Sequence, residues 1–289
     1  MTMSLFKSSL RTAAAAGMLG ALAACSADTG PTVTQVGDLA YVRVINAIPD
    51  TGAMIYRFVD QIENPLEGLG LNFRQASAYA GTKVGARQLR AFIVSTTPAI
   101  VAGAPILDRS VTLAKDTYYT LLHVGLAQGD RDSIIVLVDS FPSFSALGAR
   151  VGIRAVHAIP SGVGAVNVFT TKRLADALPA TPAFSNVTYG RATAYAQVTA
   201  DTIAARVQVA DTPTTVLSAL APVGTAGTTA VNPDGGSRIA GSSLTAVAFP
   251  AGLGARATSN ATNPQFSGSP AVVWYLDGRP PETVPRVRP

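Results

Sequence analysis

A phrase of eight residues that occurs twice decides the fold of this chain. The first copy, RVINAIPD, covers Arg43–Asp50, and the second, RAVHAIPS, covers Arg154–Ser161 and begins 111 residues later. Each copy carries apolar residues of strand type and reaches a Pro, which cannot donate to a β-ladder and which keeps the preceding residue extended. The phrase therefore predicts the end of a β-strand, and its repetition predicts two related units.

Two more landmarks repeat in the same order. LNFRQASAYA (71–80) aligns with VTYGRATAYA (187–196) at an offset of 116, and VLVDSFP (136–142) aligns with WYLDGRP (274–280) at an offset of 138. The growing offset indicates extra residues late in the second unit, which we assign to an insertion over residues 211–269. This insertion is low in charge and rich in Thr, Ala, Gly and Ser, and it is either a binding loop or hairpin or a passive flexible segment.

Short apolar runs separated by Gly and Pro, without helical periodicity, lie between the landmarks. This pattern predicts an all-β fold of two tandem antiparallel β-sandwiches of immunoglobulin-like type. The predicted organisation is a lipoprotein signal peptide (1–24), a flexible tether (25–38), a first sandwich (39–146), a second sandwich with the insertion (150–280) and a Pro-rich tail (281–289).

The N-terminal segment MTMSLFKSSLRTAAAAGMLGALAAC has two basic residues before an apolar stretch, Ala13–Ala24, that is too short to span a bilayer. It is typical of a secretory signal peptide. Its last four residues, LAAC, resemble the lipobox of bacterial lipoproteins, in which the signal is cut after the residue equivalent to Ala24 and the Cys equivalent to Cys25 is acylated. An ordinary signal peptide with an incidental Cys remains the alternative. Ser26, where Asp would favour inner-membrane retention, points to the outer membrane.

Composition excludes several classes of function. The 22 basic and 17 acidic residues form no dense basic cluster, so we expect no nucleic-acid partner. Cys25 is the only Cys, which excludes an intrachain disulfide and argues against a zinc site. Neither a nucleophile elbow, a phosphate loop, a zinc-protease motif nor a dinucleotide fingerprint is present. We therefore expect no cofactor and no metal, and we assign no catalytic residue.

Four charged residues are matched between the units. Arg43 aligns with Arg154, and Asp139 aligns with Asp277. Either the arginines bind a ligand, or they are structural and pair with the two aspartates. We favour the structural interpretation, because both units keep the residues.

The two histidines are the remaining candidates for chemistry. His157 stands where the first unit has Asn46, so a hydrogen-bonding role at the end of a strand is favoured over proton transfer. His123 lies within an apolar strand. We assign neither of them to catalysis.

The repeated unit resembles the family called the domain of unknown function numbered 4397. Units of that family open with an Arg-Val-Val-His-Ala-Ser-Pro-Asp-like phrase and continue through a Val-Asp-Val-Tyr-like strand, a Tyr-containing segment, a Tyr-Thr strand and a closing Asp. Asn46 departs from this pattern, as do Ile48 and Ile159 at the Ser position. The resemblance covers about residues 40–280 and implies secreted or envelope β-domains without an assigned catalysis. The counterparts in this chain are Arg43–Asp50, Arg154–Ser161, Ile55, Tyr56, Val166–Phe169, Tyr79, Tyr195, Tyr119, Thr120, Asp139 and Asp277.

These features predict a lipid-anchored envelope protein that faces the periplasm or the cell surface. Its expected partners are membrane lipid, through acylated Cys25, and an envelope protein or glycan. We expect a non-enzymatic binding or structural module. The alternative is an accessory domain or weak hydrolase that acts on envelope polysaccharide or peptide with carboxylates of the 211–269 insertion.

Overall fold

Each repeated phrase forms the end of the first strand of a four-stranded sheet. The computed structural model describes residues 37–62, 65–66, 70–96, 103–129, 131–160, 163–212, 214–253 and 267–280. The predicted signal peptide, the lipobox with Ala24 and Cys25, most of the tether and the Pro-rich tail lie outside these residues.

The first repeat is a β-sandwich. Its four-stranded sheet has the order β3-β1-β6-β7 and packs on a three-stranded sheet of order β2-β4-β5. The strands are β1 (Leu39–Asn46), β2 (Met54–Phe58), β3 (Ala80–Lys83), β4 (Gly85–Ile93), β5 (Leu107–Leu113), β6 (Tyr118–Leu126) and β7 (Arg131–Val138).

The second repeat follows a one-turn helix and has the same plan. Its sheet β11-β8-β14-β17 packs on the sheet β10-β9-β12-β13, and β15 pairs with β16. The elements are α1 (Phe144–Leu147), β8 (Arg150–His157), β9 (Val166–Thr171), β10 (Phe184–Val187), β11 (Ala196–Thr199), β12 (Ala204–Val209), β13 (Thr215–Leu220), β14 (Ser243–Phe249), β15 (Gly252–Leu253), β16 (Ser267–Gly268) and β17 (Ala271–Gly278).

The predicted all-β, sandwich-like fold is confirmed, but its sheets are not purely antiparallel. β1 pairs with β6 in parallel, and β8 pairs with β14 in parallel. The reason is the route of the chain, which leaves β1 for the other sheet and returns through β5 to the end at which β1 began. Each four-stranded sheet is therefore mixed.

The two four-stranded sheets face each other and form the inner layers of the molecule. All residues of β14 are buried, as are all residues of β8 after Arg150, because each strand has a sheet of its own repeat on one face and the other repeat on the opposite face. Ile45, Leu122, Val247 and Phe249 belong to one apolar cluster shared by the repeats. From Asp38 onward the chain forms a single unit.

The four inner strands β1, β6, β8 and β14 run in one direction, which gives the molecule two distinct ends. At the loop end, where these strands finish, the backbone N–H of Leu253 donates to the carbonyl of Pro49 at 2.9 Å. The opposite end, where the strands begin, is called the entry end. It carries Asp38, helix α1 and the end of β17.

The predicted single insertion over residues 211–269 is wrong, because this range contains two strands of the core fold. Thr245 of β14 pairs with Arg154 in the same way that Thr120 of β6 pairs with Arg43. β14 is therefore the counterpart of β6, and β13 is the counterpart of β5. The extra residues divide into a segment at the entry end, 221–242, and an excursion from the loop end that includes the β15–β16 pair.

Candidate functional site

The matched arginines lie at the centre of the molecule, between the two inner sheets. Arg43 and Arg154 are each only 2% exposed. Each guanidinium forms an ion pair with the aspartate of the other repeat: Arg43 Nη2 donates to Asp277 Oδ1, and Arg154 Nη2 donates to Asp139 Oδ1 at 2.5 Å. The repeats thus exchange their charged partners.

A threonine and a tyrosine of the first repeat hold the Asp139 carboxylate. Arg43 Nε donates to Thr120 Oγ1 at 2.8 Å, and that hydroxyl donates to Asp139 Oδ2 at 2.5 Å. Tyr79 Oη donates to the same oxygen at 2.6 Å. The Arg43 guanidinium also lies over the Tyr79 ring, 4.7 Å from its centre. Asp139 therefore accepts from both repeats at once.

The second repeat reproduces this arrangement around Asp277. Arg154 Nε donates to Thr245 Oγ1 at 2.7 Å, Thr245 Oγ1 donates to Asp277 Oδ2 at 2.5 Å, and Tyr195 Oη donates to the same oxygen at 2.6 Å. The two halves close into one network, named the central network below. Its members are Arg43, Tyr79, Thr120, Asp139, Arg154, Tyr195, Thr245 and Asp277.

The electrostatics of the central network favour fixed protonation states. Burial, the largest single cause, lowers the pKa of Arg43, but Asp277, Tyr79 and Asp139 together outweigh it and the pKa is raised. The pKa of Arg154 is raised in the same way, by Asp139, Tyr195 and Asp277 together against burial. Burial raises the pKa of Tyr79 and of Tyr195, so both phenols stay protonated and donate. The central network therefore joins the two inner sheets, and its cations, anions and hydroxyls form ion pairs and hydrogen bonds with one another.

His157 and Asn46 occupy equivalent places and accept equivalent hydrogen bonds. His157 Nδ1 accepts from the backbone N–H of Ile159 at 3.2 Å, and Asn46 Oδ1 accepts from that of Ile48 at 3.0 Å. The other side of each group donates to a carbonyl: His157 Nε2 to Gly164 at 2.9 Å, and Asn46 Nδ2 to a backbone oxygen of its own repeat at 2.9 Å. Burial lowers the pKa of His157, in keeping with a neutral ring. Both side chains therefore shape the turn that follows the first strand.

His123 lies in a buried triad whose partners the sequence did not indicate. Its Nε2 bonds to Asp132 Oδ2 at 2.7 Å, and its Nδ1 bonds to Tyr56 Oη at 2.9 Å. The ring is fully buried, and burial lowers its pKa despite the nearby carboxylate. Because Asp132 accepts from Nε2, Nδ1 is left to accept from the phenol, and both ring nitrogens are used within the core.

Arg74 connects the repeats at the loop end, and sequence reasoning missed it. Its Nη2 donates to the carbonyls of Pro250 and Ser269, both at 2.7 Å, across the base of the excursion that carries β15 and β16. Its φ of 67° is in the left-handed region, which Gly adopts most easily. The aligned residue, Gly190, has a φ of 72°, so the Gly in the second copy was the available signal.

The carboxylates of the 211–269 range do not form a pair. Asp211 follows β12 at the loop end, whereas Asp234 lies in the segment 221–242 at the entry end. No Glu and no third Asp is present in that range. The carboxylate pair that the hydrolase hypothesis required is therefore absent from this range.

The described part of the chain also contains no group of three or more His, Cys, Asp or Glu side chains placed to hold a metal ion. Among the same residues, no helix has the length and apolar character needed to cross a bilayer.

A comparison with models of known protein families finds a match to part of this chain. Residues 40–169 match the model of a family described as Domain of unknown function (DUF4397). Most of the matched stretch is the first repeat. The matched stretch runs from β1 into β9, so it includes Arg43, Asp139, Arg154 and His157 but not Asp277. A search of curated proteins gives no match.

Proposed function

We propose that this chain is a lipid-anchored protein of the bacterial cell envelope and acts as a non-enzymatic binding or structural module. The observation that carries the proposal is the position of the central network. Arg43 and Arg154 are 2% exposed, and their charges are neutralised by Asp277 and Asp139. These buried and mutually neutralised charges support a scaffold role, since they offer no group to a substrate.

The direction of the strands supports different roles for the two ends, with anchoring at the entry end and binding at the loop end. Asp38 lies at the entry end, so a tether from Cys25 would join the molecule there and the loop end would lie away from the proposed anchor. Connections β1–β2, β4–β5, β8–β9 and β12–β13 all lie at the loop end. Loops on a rigid β-scaffold are common sites of recognition. The proposed partner, an envelope protein or glycan, would bind there.

Anchoring is tested by fatty-acid labelling of cells that produce the chain or its Cys25→Ser variant. We expect label on the unchanged chain and release of the variant from membranes. Label that persists in the variant would contradict the assignment of Cys25.

Binding is tested by photocrosslinking in intact envelopes. A photoreactive amino acid at Gln75 or Thr212, both exposed at the loop end, is expected to capture a discrete partner. The same probe at Ser145, exposed at the entry end, is the matched control. Equal capture from Ser145 would contradict recognition at the loop end. Turnover of an envelope substrate that a single polar substitution abolishes would contradict the non-enzymatic role.

A further inference from the structure

Exposed apolar side chains concentrate at the entry end of the molecule. Of the twelve large apolar residues that the described chain leaves exposed, eight lie at this end, after β2, on the last residue of β7, on helix α1 and on the connections of the second repeat. They are Val59, Ile62, Val138, Phe144, Leu174, Leu220, Val223 and Val231. At the loop end the corresponding set is Val94, Tyr189 and Leu253. Clustered exposed apolar residues indicate a contact surface, whereas scattered ones do not.

An open groove of about 580 Å³ lies within this end of the second repeat. Leu174 and Leu220 are 43% and 50% exposed and form its apolar part. Lys172, Arg173 and Arg238 also line it, and all three are exposed. This combination of aliphatic and basic side chains is typical of surfaces that rest in the interface of an anionic membrane.

One carboxylate among the lining residues offsets part of this charge. Asp201 pairs with Lys172 Nζ at 2.8 Å. A second carboxylate, Asp176, lies beside the groove and accepts from the backbone N–H of Arg173 at 2.8 Å, which leaves one of the three basic charges in excess. The groove therefore carries a net positive charge beside exposed aliphatic groups. An anionic surface complements both features.

The course of the chain limits how far this end can be from the proposed anchor. Asp38, at the entry end, is 13 residues from Cys25. Even at full extension, 13 residues span at most about 45 Å. Acylation of Cys25 would hold the groove near the bilayer at a high effective concentration, so weak contacts are sufficient.

We propose that the entry-end face, defined by Lys172, Arg173, Leu174, Leu220 and Arg238, rests on an anionic lipid bilayer. The inference rests on the proposed lipid anchor and adds a second, non-covalent contact to it. This contact orients the molecule, with the loop end directed away from the membrane. Aliphatic side chains enter the headgroup region, and the basic groups bind lipid phosphates.

The test uses the chain from residue 25 with Cys25→Ser, which lacks both the signal peptide and the acyl group. Removing residues 1–24 leaves the unit that begins at Asp38 complete. Binding is measured by co-sedimentation with vesicles of phosphatidylcholine that contain about 30% phosphatidylglycerol, and with vesicles of phosphatidylcholine alone. We expect binding to the anionic vesicles that high salt abolishes, and about fivefold weaker binding for Arg238→Gln.

Matched variants distinguish binding through this face from non-specific hydrophobic binding. Leu174→Ser with Leu220→Ser is expected to reduce binding several-fold, whereas Val94→Ser with Leu253→Ser at the loop end is expected to leave it unchanged. Absent binding, equal binding to neutral vesicles, or equal loss in the loop-end variant would overturn the inference. A dimer in solution that only the Leu174→Ser, Leu220→Ser variant disrupts would assign the face to a second copy of the chain instead.

The two proposals fail in distinguishable ways. Fatty-acid label on Cys25 without vesicle binding by the non-acylated chain overturns the membrane face and leaves the anchor. Vesicle binding without label on Cys25 overturns the anchor and leaves the face as a membrane contact of its own.

Discussion

Arg43 and Asp277 form a buried ion pair although 234 residues separate them along the chain. Arg154 and Asp139 form the reciprocal pair, only 15 residues apart. Both pairs lie between the inner sheets, where replacing the water around a charge requires a partner close by. The stability of each repeat therefore depends on a carboxylate that the other repeat supplies.

Removing one partner of this exchange is expected to destabilise the whole molecule. Asp277→Asn keeps the shape of the side chain but leaves Arg43 as a buried charge without its counterion, so we expect a loss of about 3–5 kcal/mol in the free energy of unfolding. Urea denaturation followed by circular dichroism measures the change.

Lys115→Gln is the control for this substitution, since it removes an ion pair with Asp38 in which both side chains are more than half exposed. Exposed pairs contribute little, so the unfolding midpoint should barely move. Similar small effects for both variants would show that the central network is not important for stability.

The shared core and the exchanged ion pairs predict that both repeats unfold together. Ile45, Leu122, Val247 and Phe249 lose their common packing if either repeat opens. We expect one calorimetric transition, with calorimetric and van't Hoff enthalpies that agree. Two resolved transitions would mean that the repeats are independent folding units.

Gly190→Ala tests the close approach of the repeats at the loop end. A Cβ there would lie 2.5 Å from Ile135 Cδ1, and the φ of 72° disfavours Ala in addition. We expect a loss of about 2 kcal/mol in the free energy of unfolding, mostly from backbone strain, because the terminal methyl of Ile135 can move aside at a small further cost.

Gly164→Ala isolates the backbone contribution, because Gly164 also has a positive φ but a Cβ added to it would meet no atom within 4 Å. Its cost should be about 1 kcal/mol, from the left-handed backbone conformation alone. Adding Ile135→Val to Gly190→Ala should recover part of the loss. A Gly190→Ala variant no less stable than the Gly164→Ala variant would contradict the contact with Ile135.

Acidification is expected to destabilise the fold through the two histidines. Burial lowers the pKa of His123 and of His157 below their ordinary value, so the unfolded chain binds more protons than the folded chain once the pH drops. This contribution to stability is complete above about pH 6.5 and is lost as the pH falls from there towards the lowered pKa values. Urea midpoints at about pH 8 and about pH 5.5, on either side of the ordinary histidine pKa, measure it.

His157→Asn is the informative variant, because Asn46 already accepts the equivalent hydrogen bond in the first repeat. Its midpoint should depend less on pH than that of the unchanged chain, with the remaining dependence due to His123. A midpoint that stays constant or rises on acidification would contradict the prediction.

The sequence predicted the duplicated β-architecture and named four of the charged residues that meet in the central network. It could not predict which Asp binds which Arg. Arg43 aligns with Arg154 and Asp139 with Asp277, so pairing within a repeat and pairing between repeats satisfy the same alignment. The choice depends on how the inner sheets face each other, which no local pattern encodes.

Thr245 and Arg74 show two other limits. Thr245 lies in a strand that the sequence placed in an insertion, because its offset from Thr120, 125 residues, differs from those of the flanking landmarks. Arg74 adopts a conformation suited to Gly and is held by carbonyls of the other repeat, so propensity alone pointed away from it.

Because the chain is synthesised from its N-terminus, Arg43 is made long before Asp277, the aspartate with which it pairs. Arg43 leaves the ribosome early, but its counterion belongs to the last strand, β17. Until Ala271–Gly278 has been made, the inner face of the first repeat holds a cation that lacks the carboxylate with which it pairs in the finished fold. The fold can therefore be completed only after Ala271–Gly278 has been made, which suits the export that we propose for this chain.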